Sequence, residues 1–246
     1  MNRVLILGGT AEAAALAEAL SDRSDLEVIT SLAGRTRSPE RLPGEMRIGG
    51  FGGVEGLVSY LKEYSIDALI DATHPFAAQM NNQAVLAADQ AGVPRLRLVR
   101  SPWKKQPGDR WIEAVDAAEA ARLLPGLGSR IFLTTGQKDL GAFADLDGLW
   151  FLIRTIEPIG DRLPRDRFHL SARGPFKEEE EAGLMQEHRI DVLVTKASGG
   201  DATYAKISAA RKLALPVVMI QCPPPPPGPI AHRTDAALTW LSHVTG

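Results

Sequence analysis

The segment Val4-Leu5-Ile6-Leu7-Gly8-Gly9-Thr10 lies near the start of the chain and decides its class. Four consecutive apolar residues closed by two glycines are typical of a buried strand in a parallel sheet. Residues 11–22 are rich in alanine and glutamate, with Leu16 and Leu20 four positions apart, which predicts a helix directly after the glycine turn. A buried strand, a glycine turn and a helix together indicate an α/β fold.

The alternation of strand and helix continues along the chain. Short apolar runs predict further strands at 27–30, 46–48, 68–71, 96–99, 131–134, 150–153, 191–195 and 216–220. Helical patterns are found at 11–22, 54–64, 76–91, 176–188, 202–213 and 235–243. Strands that alternate with helices imply right-handed βαβ units and a mostly parallel sheet.

Two parts of the chain resemble each other at a nearly constant offset. Residues 65–71 (SIDALID) match residues 189–195 (RIDVLVT), and Val93-Pro94 matches Leu215-Pro216. Chance use of Ile-Asp and of proline before a strand is the alternative explanation. We predict an α/β fold of two Rossmann-like units with mostly parallel sheets and a ligand cleft between them.

Proline and glycine mark the division between the two units. Ser101-Pro102 and Gln106-Pro107-Gly108 interrupt regular structure, so we predict a first domain at residues 1–105 and a second at 106–246. The run Pro223–Pro227 predicts an extended linker, because proline lacks the N–H that a central strand needs.

Composition excludes several classes of protein. The 246 residues contain 28 Lys and Arg against 30 Asp and Glu, a net charge of −2, and 44% are hydrophobic. A disordered chain would be less apolar, and a general nucleic-acid coat protein would be more basic. No window approaches about 18 consecutive apolar residues, so we expect no membrane span. The apolar run at the N-terminus is shorter than the roughly 7–15 residues of a signal peptide, which predicts a cytoplasmic protein.

The residues that commonly hold metals do not cluster. Cys222 is the only cysteine, so no internal disulfide and no cysteine-based zinc site can form. The five histidines have no close spacing. We therefore predict no metal, and the oligomeric state stays open.

Ligands of open parallel sheets bind beyond the C-terminal ends of the strands. After the first strand, Gly8, Gly9 and Thr10 would let a phosphate approach the backbone at the start of a helix. The full G-x-G-x-x-G pattern is not present, because Thr10 and Ala13 occupy its other two glycine positions. A tight turn without a ligand is the alternative.

The second strand suggests which dinucleotide would bind. An NAD site has Asp or Glu near this point for the ribose hydroxyl, whereas this chain has Ser31, Arg35 and Arg37. Hydroxyl and guanidinium groups favour a 2′-phosphate, so we predict NADP(H) as the cofactor. The alternative is a solvated basic loop.

Further candidates follow the other strands. In Gly49–Gly53, four glycines surround one aromatic residue, and we predict that Gly50, Phe51 and Gly52 contact the cofactor, against the alternative of a structural turn. Thr73 and His74 follow the strand at 68–71 and are predicted to line the cofactor pocket. A catalytic His74 is a second possibility, and a packed or capping histidine is the alternative.

The second unit offers candidates for an anionic ligand. We predict binding roles for these residues near predicted strand ends: Thr135, Gly136, Arg154, Lys196, Ser198 and Gly199. For Lys196 the alternative is a solvated lysine at a strand end. The run Glu178–Glu181 predicts a solvated helix start, where the helix dipole favours carboxylates.

The ordered set of these motifs resembles the precorrin-6A reductase family of cobalamin biosynthesis. The resemblance extends from the first strand to about Ile220 and rests on these motifs: Leu7-Gly8-Gly9-Thr10-x-Glu12, Gly50-Phe51-Gly52-Gly53, Asp71-Ala72-Thr73-His74-Pro75-Phe76-Ala77, Thr134-Thr135-Gly136 and Lys196-x-Ser198-Gly199-Gly200. The proline run after Ile220 departs from the pattern, so the resemblance does not define the C-terminal boundary.

The resemblance implies an NADPH-dependent reduction of one double bond of the precorrin-6A macrocycle, giving precorrin-6B. Lys196, His74 and solvent are then the candidates for the proton donor. The macrocycle carries many carboxylates, and residues 95–110 hold six basic side chains against Asp109 alone, which suits such a partner. The alternatives are a reductase of another anionic metabolite and a non-catalytic NADP-sensing regulator.

Overall fold

The computed structural model describes residues 1–34, 41–156 and 158–246. Its strands are β1 (Asn2–Leu7), β2 (Leu26–Leu32), β3 (Glu45–Ile48), β4 (Ala68–Asp71), β5 (Arg95–Leu98), β6 (Arg110–Ala114), β7 (Arg130–Leu133), β8 (Trp150–Thr155), β9 (Arg167–Ser171), β10 (Val192–Lys196), β11 (Pro216–Ile220) and β12 (Ile230–Ala231). Its α-helices are α1 (Ala11–Ala19), α2 (Val54–Glu63), α3 (Ala78–Ala91), α4 (Ala117–Leu123), α5 (Glu178–Glu187), α6 (Ala205–Lys212) and α7 (Thr234–Val244). Two 3₁₀ helices span Leu124–Gly126 and Gln137–Phe143.

The chain divides into two compact units. Unit 1 contains Met1–Ser101 and Pro223–Gly246, and unit 2 contains Pro102–Cys222. Each unit has one six-stranded sheet in which all neighbouring strands are parallel. The predicted α/β class with two Rossmann-like units is confirmed.

The two sheets share one topology. The order in unit 1 is β3-β2-β1-β4-β5-β12, and in unit 2 it is β9-β8-β7-β10-β11-β6. In unit 1 the chain runs from β1 to β2 and β3 on one side, and then to β4 and β5 on the other side of β1. In unit 2 it runs from β7 to β8 and β9 on one side, and then to β10 and β11 on the other side of β7. The direction therefore reverses between β1 and β4 and between β7 and β10, which are the points where such sheets bind ligands.

One edge strand of each sheet follows, in the chain, a strand of the other unit. β6 follows β5 in the chain but pairs with β11, and β12 follows β11 but pairs with β5. The sequence-based division placed all of 106–246 in the second domain, and the structure differs at the end, where Pro223–Gly246 belongs to unit 1. The proline run carries the chain from one unit to the other.

Both faces of the unit 1 sheet are covered by helices. Val4 and Ile6 pack on one face in a cluster with Leu16 of α1 and Leu241 of α7. The intervening β1 residues pack on the other face, against α2 and α3, in a cluster that includes Leu57. A strand buried on both faces has to be apolar at every position, which explains the uninterrupted run in β1. Each fully buried Leu contributes about 1.5–3 kcal/mol.

Three edge strands, β6, β9 and β12, were not predicted from the sequence. β6 and β9 are partly exposed and contain charged residues, and β12 has only two residues. Such strands show neither a continuous apolar run nor a long alternation. Among the described residues, no helix combines the length and the apolar character that a membrane crossing needs.

Candidate functional site

The ends of β1 and β4 are joined where the strand order of unit 1 reverses. The Thr10 hydroxyl donates to the carbonyl of Ala72 at 2.7 Å and accepts from the N–H of Ala13 at 3.2 Å. Thr10 is thus the N-cap of α1 and also ties the glycine turn to the loop that follows β4. The structure brings together two predicted parts of the site, Gly8–Thr10 and Thr73-His74.

The glycine turn leaves room beside its backbone. The N–H of Gly8 donates to the carbonyl of Ser31 at 2.9 Å, so this residue is held against β2. Gly9 has φ +105°, and a Cβ built there would meet nothing within 4 Å. An anion can therefore approach this backbone at the N-terminus of α1, which fits a pyrophosphate group.

The end of β2 carries a hydroxyl group and a neighbouring cation. Ser31 pairs in register with Arg47 of β3, and Arg47 Nη1 lies 3.3 Å from Ser31 Oγ. Arg47 was missed by the sequence reasoning because it lies in a short strand rather than in a loop. The predicted Arg35 and Arg37 lie outside the described residues.

The glycine-rich loop wraps around the Arg47 side chain. Its guanidinium donates to the carbonyls of Gly49 at 2.6 Å and Gly50 at 2.8 Å and lies 3.9 Å from the centre of the Phe51 ring. The Phe51 ring in turn packs edge-on against Tyr60 of α2, with ring centres 5.1 Å apart. The loop is therefore held by cation–π and hydrogen-bond contacts.

The same loop needs glycine where it meets α2. A Cβ on Gly56 would lie 1.7 Å from the carbonyl oxygen of Phe51. At Gly50 and Gly52, by contrast, an added Cβ would meet nothing within 4 Å. One side of the loop is thus packed against the helix, and the predicted cofactor-contacting glycines border open space.

A buried polar network supports the loop after β4. Arg97 Nη1 lies 2.6 Å from Asp71 Oδ2 and donates to Asn81 Oδ1 at 2.7 Å. The other carboxylate oxygen of Asp71 accepts from the N–H of Thr73 at 3.1 Å and lies 2.7 Å from its hydroxyl. Asp71 and Arg97 are 0% and 2% exposed. The network holds Thr73 at the end of β4.

The imidazole of His74 is oriented by its own turn. Its Nδ1 accepts from the backbone N–H of Phe76 at 3.2 Å. A neutral imidazole that accepts at Nδ1 carries its proton on Nε2. The arrangement therefore defines which nitrogen of His74 can donate.

Three arginines of the basic segment at residues 95–110 form contacts within unit 1. Arg97 is in the network above, and Arg100 Nη2 pairs with Glu12 of α1 at 2.8 Å. Arg95 Nη2 donates to the carbonyl of Pro227 at 2.6 Å, and burial lowers the pKa of its guanidinium. These three charges of unit 1 are directed to its own residues.

In unit 2 the first predicted strand end contains an unsatisfied hydroxyl. Thr135 is 3% exposed, and its Oγ1 is buried without a hydrogen-bond partner among the described residues. Gly136 follows with φ +83° and starts the 3₁₀ helix Gln137–Phe143. A buried hydroxyl at the end of β7 offers a polar contact to a ligand.

Lys196, at the end of β10, is paired rather than solvated. Its Nζ lies 2.5 Å from Oδ2 of Asp139 in the 3₁₀ helix. The neighbouring turn has Gly199 at φ +69°, and the carbonyl of Gly200 accepts from Trp103 Nε1 at 2.6 Å. The predicted loop with Ser198 thus adjoins the end of β7, because β7 and β10 are neighbouring strands.

The side chain of Arg154 contacts other residues of unit 2. Its guanidinium forms two hydrogen bonds with the Glu181 carboxylate, and the Nη2–Oε2 distance is 2.9 Å. It also lies 3.8 Å from the centre of the Phe176 ring. These contacts make Arg154 part of the packing between β8 and α5, and its predicted role in substrate binding stays a prediction. Glu181 is 2% exposed, so the predicted solvated run Glu178–Glu181 is wrong at its last residue.

Comparisons with known proteins find relatives that match this chain over most or all of its length. The family model described as precorrin-6x reductase CbiJ/CobK matches residues 3–242. A precorrin-6A reductase of Rhodococcus erythropolis is 51% identical over 246 residues, covering 100% of this chain and 99% of that protein. A cobalt-precorrin-6A reductase of Salmonella typhimurium is 30% identical over 237 residues, covering 90% of this chain and 88% of that protein. A solved structure described as CobK precorrin-6A reductase is 42% identical, with a TM-score of 0.93, and the match covers 99% of this chain and 97% of that one.

Proposed function

The chain belongs to the precorrin-6x reductase family, and on this premise we propose that it reduces precorrin-6A to precorrin-6B in cobalamin biosynthesis with NADPH as the hydride donor. The observation that carries the proposal is the extent of the family match, which spans both units from residue 3 to residue 242. A module that only senses NADP would need unit 1 alone.

Unit 1 would hold the cofactor. The open backbone at Gly9 and the N-terminus of α1 suit the pyrophosphate. The end of β2 has Ser31 where an NAD-binding unit carries a carboxylate, which supports NADPH over NADH. Gly50 and Gly52 border space that a bound nucleotide would fill. When bound, NADPH supplies the hydride, and the protein supplies alignment.

The reduction also needs a proton on the second carbon of the double bond. We assign it to the imidazolium form of His74, which gives up the proton on Nε2 and becomes neutral; in that form Nδ1 carries a proton and no longer accepts from the N–H of Phe76. Thr73, held by Asp71, fixes the backbone that carries this imidazole. Lys196 and solvent remain the alternative donors.

Unit 2 would bind the carboxylates of the macrocycle. The buried hydroxyl of Thr135, the backbone at Gly136 and the Ser198-Gly199 turn provide neutral donors. Lys196 adds three N–H donors, and its ammonium group forms an ion pair with Asp139. Neutral donors and a charge-balanced lysine bind a polycarboxylate without leaving an unpaired buried cation.

The proposal favours the cobalt-free macrocycle as substrate. Identity is 51% to a precorrin-6A reductase and 30% to a cobalt-precorrin-6A reductase. The test mixes the protein with precorrin-6A and NADPH and follows the absorption of both. We expect equimolar loss of NADPH and formation of precorrin-6B, with slower turnover of cobalt-precorrin-6A. Cofactor binding without turnover of either macrocycle would contradict the proposal and favour a regulator.

A further inference from the structure

Arg47 is an arginine of unit 1 that forms no ion pair with any residue the structure describes. Arg97 and Arg100 each lie within 3 Å of a carboxylate oxygen. Arg47 instead contacts two carbonyl groups, one hydroxyl and one aromatic ring. Glu45 lies two positions earlier on β3, and the two side chains form no ion pair among the described contacts. The positive charge of Arg47 thus remains available to an anionic ligand.

The contacts of Arg47 hold the guanidinium without exhausting its donors. A guanidinium has five N–H groups. The contacts with Gly49, Gly50 and Ser31 engage Nη1 and one hydrogen of Nη2. No described residue accepts from Nε or from the second Nη2 hydrogen. A guanidinium group that is fixed on one side and has further N–H donors on the other is pre-organised to bind a phosphate group.

The location of this guanidinium group is informative. Arg47 and Ser31 are register partners at the C-terminal end of β2 and β3. In dinucleotide-binding units of this topology, the ribose of the adenosine half lies at the end of the second strand. A hydroxyl 3.3 Å from a guanidinium nitrogen at this point matches the donors that a ribose 2′-phosphate needs.

We propose that Arg47 is the residue that determines specificity for the 2′-phosphate of the cofactor, with Ser31 as its partner. On this proposal, the glycine-rich loop at residues 49–53 positions the Arg47 side chain. Its Gly49 and Gly50 carbonyls and the Phe51 ring hold the guanidinium in place, and its glycines leave space on the open side. This inference rests on the proposed use of NADPH.

The test measures binding of two nucleotides by calorimetry with the full chain. 2′,5′-ADP carries the 2′-phosphate, and 5′-AMP is the matched ligand without it. We expect the wild type to bind 2′,5′-ADP more tightly. R47M should weaken 2′,5′-ADP binding about 10- to 100-fold, the range for loss of charge-assisted hydrogen bonds, and leave 5′-AMP binding within about twofold. R23M is the control, because Arg23 is a partly exposed arginine of unit 1 that lies before the start of β2 and pairs with Asp25.

Each outcome separates this inference from the cofactor proposal. A wild type that does not distinguish the two nucleotides would contradict the use of NADPH itself. A wild type that distinguishes them, with R47M that still does, would overturn only the role of Arg47. Equal weakening of both nucleotides by R47M would show that Arg47 merely supports the loop, and would also overturn it. If R47M lowers the midpoint of thermal unfolding, the same measurement is made with R47Q. The glutamine amide can still donate to a loop carbonyl, so R47Q should keep the loop in place and still lose affinity for 2′,5′-ADP but not for 5′-AMP.

Discussion

Arg154 and Glu181 form a buried ion pair with two hydrogen bonds, although both were expected to face solvent or ligand. Arg154 lies near the end of β8, and Glu181 lies in the first turn of α5. They are 7% and 2% exposed. Because the carboxylate satisfies the guanidinium, the pair belongs to the packing of unit 2.

Removing one member of this pair should destabilise unit 2. We expect R154M to lower the free energy of unfolding by about 3–5 kcal/mol, because Glu181 would be left as a buried, unpaired charge. The double variant R154M/E181L should recover most of this loss. Urea denaturation at pH 7 measures both. R154M that folds with wild-type stability and raises the KM for precorrin-6A would support the role in substrate binding that the sequence predicted.

Substitution of Leu241 should destabilise unit 1, although this residue follows all of unit 2 in the chain. Leu241 is 1% exposed and packs with Val4 and Leu16. We expect L241A to cost about 2–5 kcal/mol. Hydrogen exchange should accelerate in β1 and β5 and stay unchanged in β10 and β11. M185A is the matched control in the core of unit 2 and should give the reverse pattern. Faster exchange of β10 in L241A would contradict the assignment.

Asp191 should make stability depend on pH. Partial burial raises the pKa of Asp191, but hydrogen bonds from the backbone N–H groups of Ser129 and Arg130 and from the Ser129 hydroxyl outweigh it, so the pKa lies below its ordinary value. A depressed folded-state pKa contributes stability above about pH 3.9, the value in unfolded chains, and this contribution is lost as the pH falls through the folded-state pKa.

The variant D191N should therefore lose about 1.5–3 kcal/mol at pH 7, the range for hydrogen bonds to a charged group. The difference from wild type should shrink below about pH 4. Urea denaturation between pH 3 and 7 measures it, with the exposed Asp22→Asn as control. A difference that is constant over this range would show that the charge of Asp191 has no part in its effect.

Local and long-range features differ in how well the sequence predicts them. The turns at Gly8–Thr10 and Thr73-His74 were predicted because glycine and strand ends are local signals. The match between Asp67 and Asp191 rests on a local signal as well. Asp67 accepts from the backbone N–H of Arg3 in β1, and Asp191 accepts from that of Arg130 in β7. The partner of Arg154 and the position of β12 depend on contacts between distant segments, which no local pattern encodes.

Lys196 can be tested together with its partner. If Lys196 binds a substrate carboxylate, K196M should raise the KM for precorrin-6A about 10-fold or more and leave the KM for NADPH unchanged, because a charge-assisted hydrogen bond is lost. D139N should keep or lower the KM for precorrin-6A, since it removes the carboxylate that lies 2.5 Å from the ammonium group. Steady-state kinetics with each substrate varied in turn measure these KM values. An equal rise in KM in both variants would mean that the pair only supports the loop.

His74 can be separated into two roles by two substitutions. The Oδ1 of an asparagine can accept from the N–H of Phe76, as Nδ1 does, while the Nε2–H is lost. A glutamine places an N–H donor nearer to the position of Nε2 but cannot release its proton. If His74 is the proton donor, H74N and H74Q should both lower kcat by about 10²–10⁴-fold with little change in the binding of 2′,5′-ADP. If it only donates a hydrogen bond to the substrate, H74Q should keep most of kcat. Wild-type kcat in H74N would leave Lys196 or solvent as the source of the proton.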